Sequence, residues 1–390
     1  MQVGRLKFRG DPYIWFAVIC LSLIGLLAVY SATGSLAFRK QGGNTEYFLF
    51  KHALFLFGGF FLMYFFHLLD YKYFSRLSQL AVIISIPLLI ATLIFGNDHN
   101  DAKRTITLIG ITFQASDFAK FAIIMYVARY LSKKQEEMNS LKGFMVILAW
   151  ICSICFLIMP ENLSTSLVLF MTCCLLLFLG NARVKHLLLL AGVFAIAGAI
   201  GFSILLKAPD NMLPGRATTW KARLEKYVGG DSTEAFQTVQ SKIAVVSGGL
   251  WGRGPGKGEQ SAYLPEAYSD NIFAVVIEEY GLVFGGLIVM GLYLLILYRS
   301  IRIVLKSPKA FGALLAVGLS FSLVLQAFIH MAVATSLFPV TGLTLPLISM
   351  GGTSIIFTSA SFGVLLSVSR AVEEQDAPAD QMKGDNIVVA

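Results

Sequence analysis

Residues 263–281 read YLPEAYSDNIFAVVIEEYG and carry four carboxylates: Glu266, Asp270, Glu278 and Glu279. The segment opens with polar turn chemistry and then runs into an apolar stretch suited to a membrane. An acid at that boundary has two compatible uses. As a helix N-cap, Asp270 accepts a hydrogen bond from the first free amides and suits the positive helix end. Held rigid and ionised there, it can also draw a proton from a hydroxyl as a general base. Glu278 and Glu279 lie deeper, where a carboxylate must be protonated, paired or wetted. At 100° per residue Glu278 lies about 80° round the helix from Asp270 and Glu279 about 180° round, so the two cannot share its face. Pairing of Glu278 and Glu279 with a basic residue on another helix is expected.

A partner is available in QASDFAK, residues 114–120, where Asp117 and Lys120 are three apart and meet on one helical face. The spacing suggests an acidic–basic cluster joining the helix that carries Lys120 to the one that follows Asp270. A second constellation is GGLWGRGPGKGEQ, residues 248–260, with six glycines, Arg253 and Lys257. Its amides and cations can approach one anion closely, or the segment is simply a flexible loop. It lacks the Gly-Lys-Ser/Thr of a nucleotide-binding phosphate loop. Upstream, GRATTWKARLEKY clusters Arg216, Lys221, Arg223 and Lys226 round Trp220, which suits an amphipathic segment near lipid phosphates. His330 reads as a helix–helix contact.

These groups must be positioned by membrane helices. The 390 residues are 56% hydrophobic and 14% charged, and many apolar blocks approach the roughly 20 residues that cross a bilayer. The expected fold is an all-α polytopic membrane protein of ten spans: 12–33, 48–69, 77–96, 116–132, 143–159, 163–180, 186–206, 271–298, 310–334 and 353–369. The net charge of +8 would suggest nucleic acid in a soluble protein; here it marks basic cytoplasmic loops. About half of the Lys and Arg fall on short segments that share a side with the N-terminus, which places both termini inside. Cys20, Cys152, Cys155, Cys173 and Cys174 all fall in apolar blocks and read as packing residues.

That orientation puts one large loop, 207–270, between spans seven and eight on the outer face. A second outer segment, 336–353, is apolar but broken by Pro339, Gly342, Pro346, Gly351 and Gly352. It is expected to be a re-entrant loop buried in protein or lining a cavity. The polar tail 371–390 is expected to be cytoplasmic and disordered, which leaves 1–370 as the membrane domain.

GGLWGRGPGKGEQ…YLPEAYSDNIFAVVIEEYG together with FPVTGLTLPLISMGGTSIIFTSASFGVLLSVSR, residues 338–370, resembles the SEDS family of FtsW, RodA and SpoVE, and within it the division type FtsW most. The resemblance spans almost the whole chain. It implies a peptidoglycan glycosyltransferase that polymerises lipid II into β-1,4 glycan strands on the outer face of a bacterial cytoplasmic membrane, releasing undecaprenyl diphosphate in septal synthesis. Its partners would be lipid II, the nascent strand, membrane lipid, a class B penicillin-binding protein and other divisome proteins, with no nucleic acid. The family's essential acid falls on Asp270. Arg253, Lys257, Arg216, Arg223, Lys120 and Asp117 become candidates to bind substrate or diphosphate. Glu266, Glu278, Glu279, Gln260, Ser349, Gly351 and Gly352 become candidates to support them. No metal ligand is assigned, and a divalent cation, Mg²⁺ or Mn²⁺, is compatible. The family's RWI…QPSE..K reads RTI…QASDFAK here, with Thr105, Ala115 and Asp117 replacing Trp, Pro and Glu. PDLGT reads PENLST, so Glu161 or Asn162 takes the acidic place. Two alternatives stand beside septal synthesis: a lipid II flippase using Lys120, Glu278 and Glu279, and the same enzyme acting in elongation as RodA does.

Overall fold

The computed structural model describes residues 9–99, 102–108, 111–207, 218, 220–221, 236–264 and 266–385. The chain folds as a bundle of helices in the order α1 (Pro12–Ala32), α2 (Gly34–Gln41), α3 (Thr45–Leu68), α4 (Tyr71–Phe95), α5 (Ala115–Lys133), α6 (Leu141–Ile158), α7 (Leu163–Leu179) and α8 (Val184–Lys207). It continues with α9 (Phe236–Gly248), α10 (Ile272–Gly281), α11 (Ile288–Lys306), α12 (Ala310–Ala334) and α13 (Thr353–Asp385). Among the described residues, eight segments are long and apolar enough to cross a membrane, the unit Ile272–Lys306 being one of them. Two more fall on expected spans. The shorter apolar α7 is one, and the other is α5, which carries Asp117, Lys120, Arg129 and Lys133. The expected spans thus overlap helical segments, with span eight divided between two helices.

Capping sets several helix starts. Asp11 accepts from the Tyr13 amide at 2.9 Å ahead of Pro12, and Asn162 accepts from Ser164 and Thr165. Asp70 accepts from the Lys72 amide, so α4 begins at Tyr71, one and a half turns before the expected 77. The core lies round α12 and α13, whose membrane windows are 72% and 78% buried against 6% for the peripheral α8. Glycines let α13 and α3 meet backbone to backbone: a Cβ on Gly363 would lie 2.6 Å from the Met63 carbonyl oxygen.

Four features depart from the expected layout. The segment after α4 is a three-stranded antiparallel sheet, β1 (Asn97–His99), β2 (Ala102–Leu108) and β3 (Ile111–Phe113), in which Ile106 pairs with Phe113. Threonine and isoleucine in that stretch favour strand. The outer loop holds α9, which packs through Ser241, whose hydroxyl donates to the Ala334 carbonyl at 2.7 Å. Span eight is not one helix: Gly281 takes φ +78 and a π-helical turn, Leu282–Leu287, joins α10 to α11. Finally, α13 runs beyond 370 into the stretch expected to be disordered. Glu373 accepts from the Gly10 amide at 3.0 Å and Glu374 pairs with Arg9 at 3.0 Å, so the residues just before α1 meet α13 near Glu373.

The segment 336–353 is irregular and largely buried, with Leu343, Leu345, Leu347, Ile348 and Ser349 inside. Its backbone groups find partners on α11, α12 and the cap of α7. His330 Nδ1 meets the Leu343 carbonyl at 2.7 Å, Gln326 donates to the Thr344 carbonyl at 2.8 Å, and Tyr293 and Asn162 donate to Pro346 and Gly342. This is what apolar non-helical backbone requires inside a membrane protein. His330 is thereby a contact between α12 and this loop.

Candidate active site

A cavity of about 270 Å³ opens where the N-terminal turns of α3, α5, α7 and α13 converge, together with the turn that leads into α10. These helices are alternate spans of an up-and-down bundle, so all begin at the same end. Their positive dipole ends face one region, which favours an anion there. Lys51 and His52 of α3, Asp117 and Lys120 of α5, and Glu266 and Asp270 supply its ionisable groups.

Asp270 closes a tight turn in which the Ser269 and Asp270 amides donate to the Glu266 carbonyl at 2.9 and 3.2 Å. Glu266 takes φ +49 to make it. The turn delays the helix by one residue, so Asn271, not Asp270, is the N-cap of α10. Ser269 Oγ donates to Asp270 Oδ1 at 3.1 Å. The irregular loop steadies this turn from below. Ser349 Oγ donates to the Ser269 carbonyl at 2.8 Å, and the Met350 amide donates to the Tyr268 carbonyl at 3.0 Å. Gly351 and Gly352 follow on the cavity wall, where a Cβ on Gly352 would lie 3.4 Å from Thr112 Oγ1. Burial, then the nearby Glu266 and Asp270 carboxylates, push the Tyr268 phenol up to about 12. It remains a hydrogen-bond donor at neutral pH and cannot serve as the base.

Lys120 lies 3.4 Å from Asp117 Oδ1 and donates to Gln326 Oε1 at 2.8 Å. Its side chain is 11% exposed and that of Asp117 7%. An ammonium so enclosed is held by geometry, with the cavity as its open side. Asn162 lines the cavity and caps α7. Glu161 is buried and is not on that wall, so Asn162 occupies the place the sequence left open.

The deeper acids do something else. Helix α10 is buried almost all round, and Glu278 Oε1 accepts from the Glu259 and Gln260 amides at 2.9 and 3.1 Å. Glu279 Oε1 accepts from the Ser31 hydroxyl at the end of α1 and faces Gly258 of the loop, where a Cβ would lie 3.2 Å from it. The glycine-rich loop returns these bonds through its backbone: the Arg253 and Gly254 amides donate to the Glu278 and Glu279 carbonyls, each at 2.9 Å. A Cβ on Gly252 would lie 2.2 Å from the Glu279 carbonyl oxygen. The pairing expected between these acids and Lys120 is therefore replaced by a clamp on the loop. The loop is anchored through its backbone and does not line the cavity. Arg253 pairs with Glu259 at 3.1 Å, and neither Arg253, Lys257 nor Gln260 lines the cavity. Arg216 and Arg223 lie outside the described residues.

Sequence reasoning missed Lys51, His52 and Gln326 as cavity residues. The Lys51–His52 pair did carry a signal, as two adjacent polar residues interrupting the apolar run FLFKHALFLF.

Residues 12–374 match the FtsW, RodA and SpoVE family, described as cell cycle protein. The chain is 36% identical to the stage V sporulation protein E of Bacillus subtilis over 93% of its own length and 98% of that protein. It is 33% identical to a probable peptidoglycan glycosyltransferase FtsW of Geobacter sp. (strain M18), covering 92% and 96% of the two chains. Among solved structures, its fold is similar to a chain from a peptidoglycan synthase complex that coordinates polymerization and crosslinking, with TM-score 0.75, 23% identity, and 94% and 99% of the two chains covered. It is also similar to the rod shape determining protein RodA of Thermus thermophilus, with TM-score 0.67, 24% identity, and 93% and 97% covered.

Proposed function

The chain belongs to the FtsW, RodA and SpoVE family of cell cycle proteins, and we propose that it is a peptidoglycan glycosyltransferase acting on lipid II with Asp270 as general base. The observation that carries this reading is one cavity lined by Asp270, Glu266, Lys51 and Lys120 at the convergent helix starts. A carboxylate suits a hydroxyl nucleophile, and lysines with helix N-termini suit a diphosphate.

The chemistry needs little more. The 4-hydroxyl of the acceptor sugar attacks the anomeric carbon of the strand carried on undecaprenyl diphosphate. The C1–O bond breaks, the diphosphate leaves with its electron pair, and Asp270 takes the hydroxyl proton. A diphosphate is a good leaving group once its charge is offset, so no proton donor is required, in contrast to glycoside hydrolysis. A base of this kind contributes about 10²–10⁴-fold. One in-line displacement turns an α-linked donor into a β-1,4 product. Lys120 and Lys51 take the diphosphate role first expected of Arg253 and Lys257.

No group of three metal-ligating side chains occurs among the described residues. Glu266 and Asp270 can still supply the one or two carboxylates that Mg²⁺ or Mn²⁺ uses beside substrate phosphate and water. When bound, such an ion would offset diphosphate charge. The cavity end of the bundle is assigned to the outer face and both termini to the cytoplasm, which suits a substrate with its sugar in water and its tail in lipid. A class B penicillin-binding protein would crosslink the product, and the relatives named FtsW favour a septal role within the divisome. The flippase reading loses support, because Glu278 and Glu279, which it would use, bond the loop backbone and Ser31 and do not line the cavity.

The test is polymerisation of purified lipid II by wild type and Asp270→Asn, each with a transpeptidase partner. Polymer from the wild type and a loss of at least about 100-fold in the variant, with lipid II binding retained, are expected. Equal polymerisation by both would overturn the role of Asp270. Synthesis that never needs this chain would overturn the enzyme reading.

A further inference from the structure

One residue lining the cavity, His52, takes no part in the steps above. His52 belongs to the buried stripe of α3 formed by Phe48, His52, Leu56, Gly59, Met63 and His67. That stripe is locked against α13, because a Cβ on Gly59 would lie 2.5 Å from Ser359 Oγ. Helix α3 cannot turn His52 toward lipid without breaking the contact. The imidazole is only 1% exposed and forms part of the cavity wall beside Lys51. Neither Nδ1 nor Nε2 has a hydrogen-bond partner among the described residues. Buried polar groups of folded proteins are nearly always paired, and an unpaired one is costly. A ring held in that condition on the wall of a binding cavity is a ready ligand contact.

The chemistry of the ring narrows the contact. An imidazole with one proton offers one donor and one acceptor. A diphosphate offers acceptors alone and would leave one nitrogen unmet, while Lys51 and Lys120 in the same cavity already provide cations for it. A sugar hydroxyl or acetamido group offers a donor and an acceptor together. We propose that His52 is a substrate-binding residue whose imidazole hydrogen-bonds a hydroxyl or acetamido group of the lipid-linked sugar. This rests on the glycosyltransferase reading and assigns His52 to the sugar and the neighbouring lysines to the diphosphate.

The experiment measures lipid II polymerisation by wild type, His52→Phe and His52→Gln, each in complex with its transpeptidase partner. Phenylalanine keeps the ring volume without hydrogen bonding, whereas glutamine keeps a donor and an acceptor. His52→Phe is expected to raise KM for lipid II about tenfold with kcat within about threefold, and His52→Gln to return KM to within about threefold of wild type. An unchanged KM in His52→Phe, or a KM that glutamine does not restore, would overturn the proposal. Should His52→Phe fail to fold, ¹⁵N-histidine spectra decide. In Asp270→Asn protein the His52 ring signals, assigned by their loss in His52→Gln, must move when lipid II is added; unmoved signals overturn the proposal. Wild-type protein that forms no polymer would instead count against the glycosyltransferase reading, and the ring signals would then report on His52 alone.

Discussion

Glu266 and Asp270 face a cavity shared with two lysines, while Glu278 and Glu279, one helix later, face the backbone of a glycine-rich loop. The side chains are chemically alike and lie within one short stretch. What separates them is the direction from which unpaired donors arrive. Around Glu278 those donors are backbone amides of the loop and around Glu279 the Ser31 hydroxyl, which tie one oxygen of each carboxylate into the fold. Around Asp270 they are a hydroxyl and the lysine-lined cavity, which leave room for a substrate. Carboxylates at a membrane boundary can thus serve architecture or chemistry, and the neighbouring backbone selects between them.

Several substitutions would break or sharpen that contrast. Asp270→Asn should have the largest effect, lowering turnover by at least about 100-fold while its thermal melt in detergent stays within a few degrees of wild type. A parallel fall in melting temperature would place Asp270 with the structural pair. Lys120→Met should come next, raising KM for lipid II by about tenfold or more and weakening inhibition by pyrophosphate. If only stability changed, its bonds to Asp117 and Gln326 would be its whole role. Glu278→Ala should behave in the opposite sense. Leaving the Glu259 and Gln260 amides unmet should cost about 1–3 kcal/mol of stability, seen as a lower melting temperature and faster amide exchange across 248–260, with turnover per folded molecule within about threefold. Loss of turnover without loss of stability would move Glu278 into the reaction. Ser349→Ala removes the bond to the Ser269 carbonyl and should cost about 0.5–1.5 kcal/mol, with a several-fold fall in kcat as the Asp270 turn loosens. Arg253→Ala should do least, within about twofold in KM and kcat, since it pairs with exposed Glu259. A tenfold rise in KM there would return Arg253 to the diphosphate site.

Much of the architecture was legible because hydrophobic blocks of membrane length declare themselves, and each expected span meets a helix. Asp117 and Lys120 were legible as a pair because helical periodicity is local. The partner that orients Lys120 was not, since Gln326 lies 206 residues away and no local pattern relates them. The same applies to Lys51 and His52, whose facing is decided by where glycines let α3 meet α13. The glycine-rich loop misled in an instructive way. Glycines, an arginine and a lysine read as an anion cradle or a flexible loop, whereas Gly248, Gly252 and Gly258 are where the loop packs against Ile277, Glu278 and Glu279. The small sheet at 97–113 escaped notice because its strands are short and lie between longer hydrophobic signals.

The convergence of alternate helix starts on one cavity has a consequence for how the site can fail. Part of its pull on phosphate belongs to peptide groups, which neither titrate nor change with side-chain identity. Lysine substitutions should weaken retention of a pyrophosphate product by increments and never abolish it, and salt should erode what remains. Only unwinding the helix ends themselves would remove that attraction altogether.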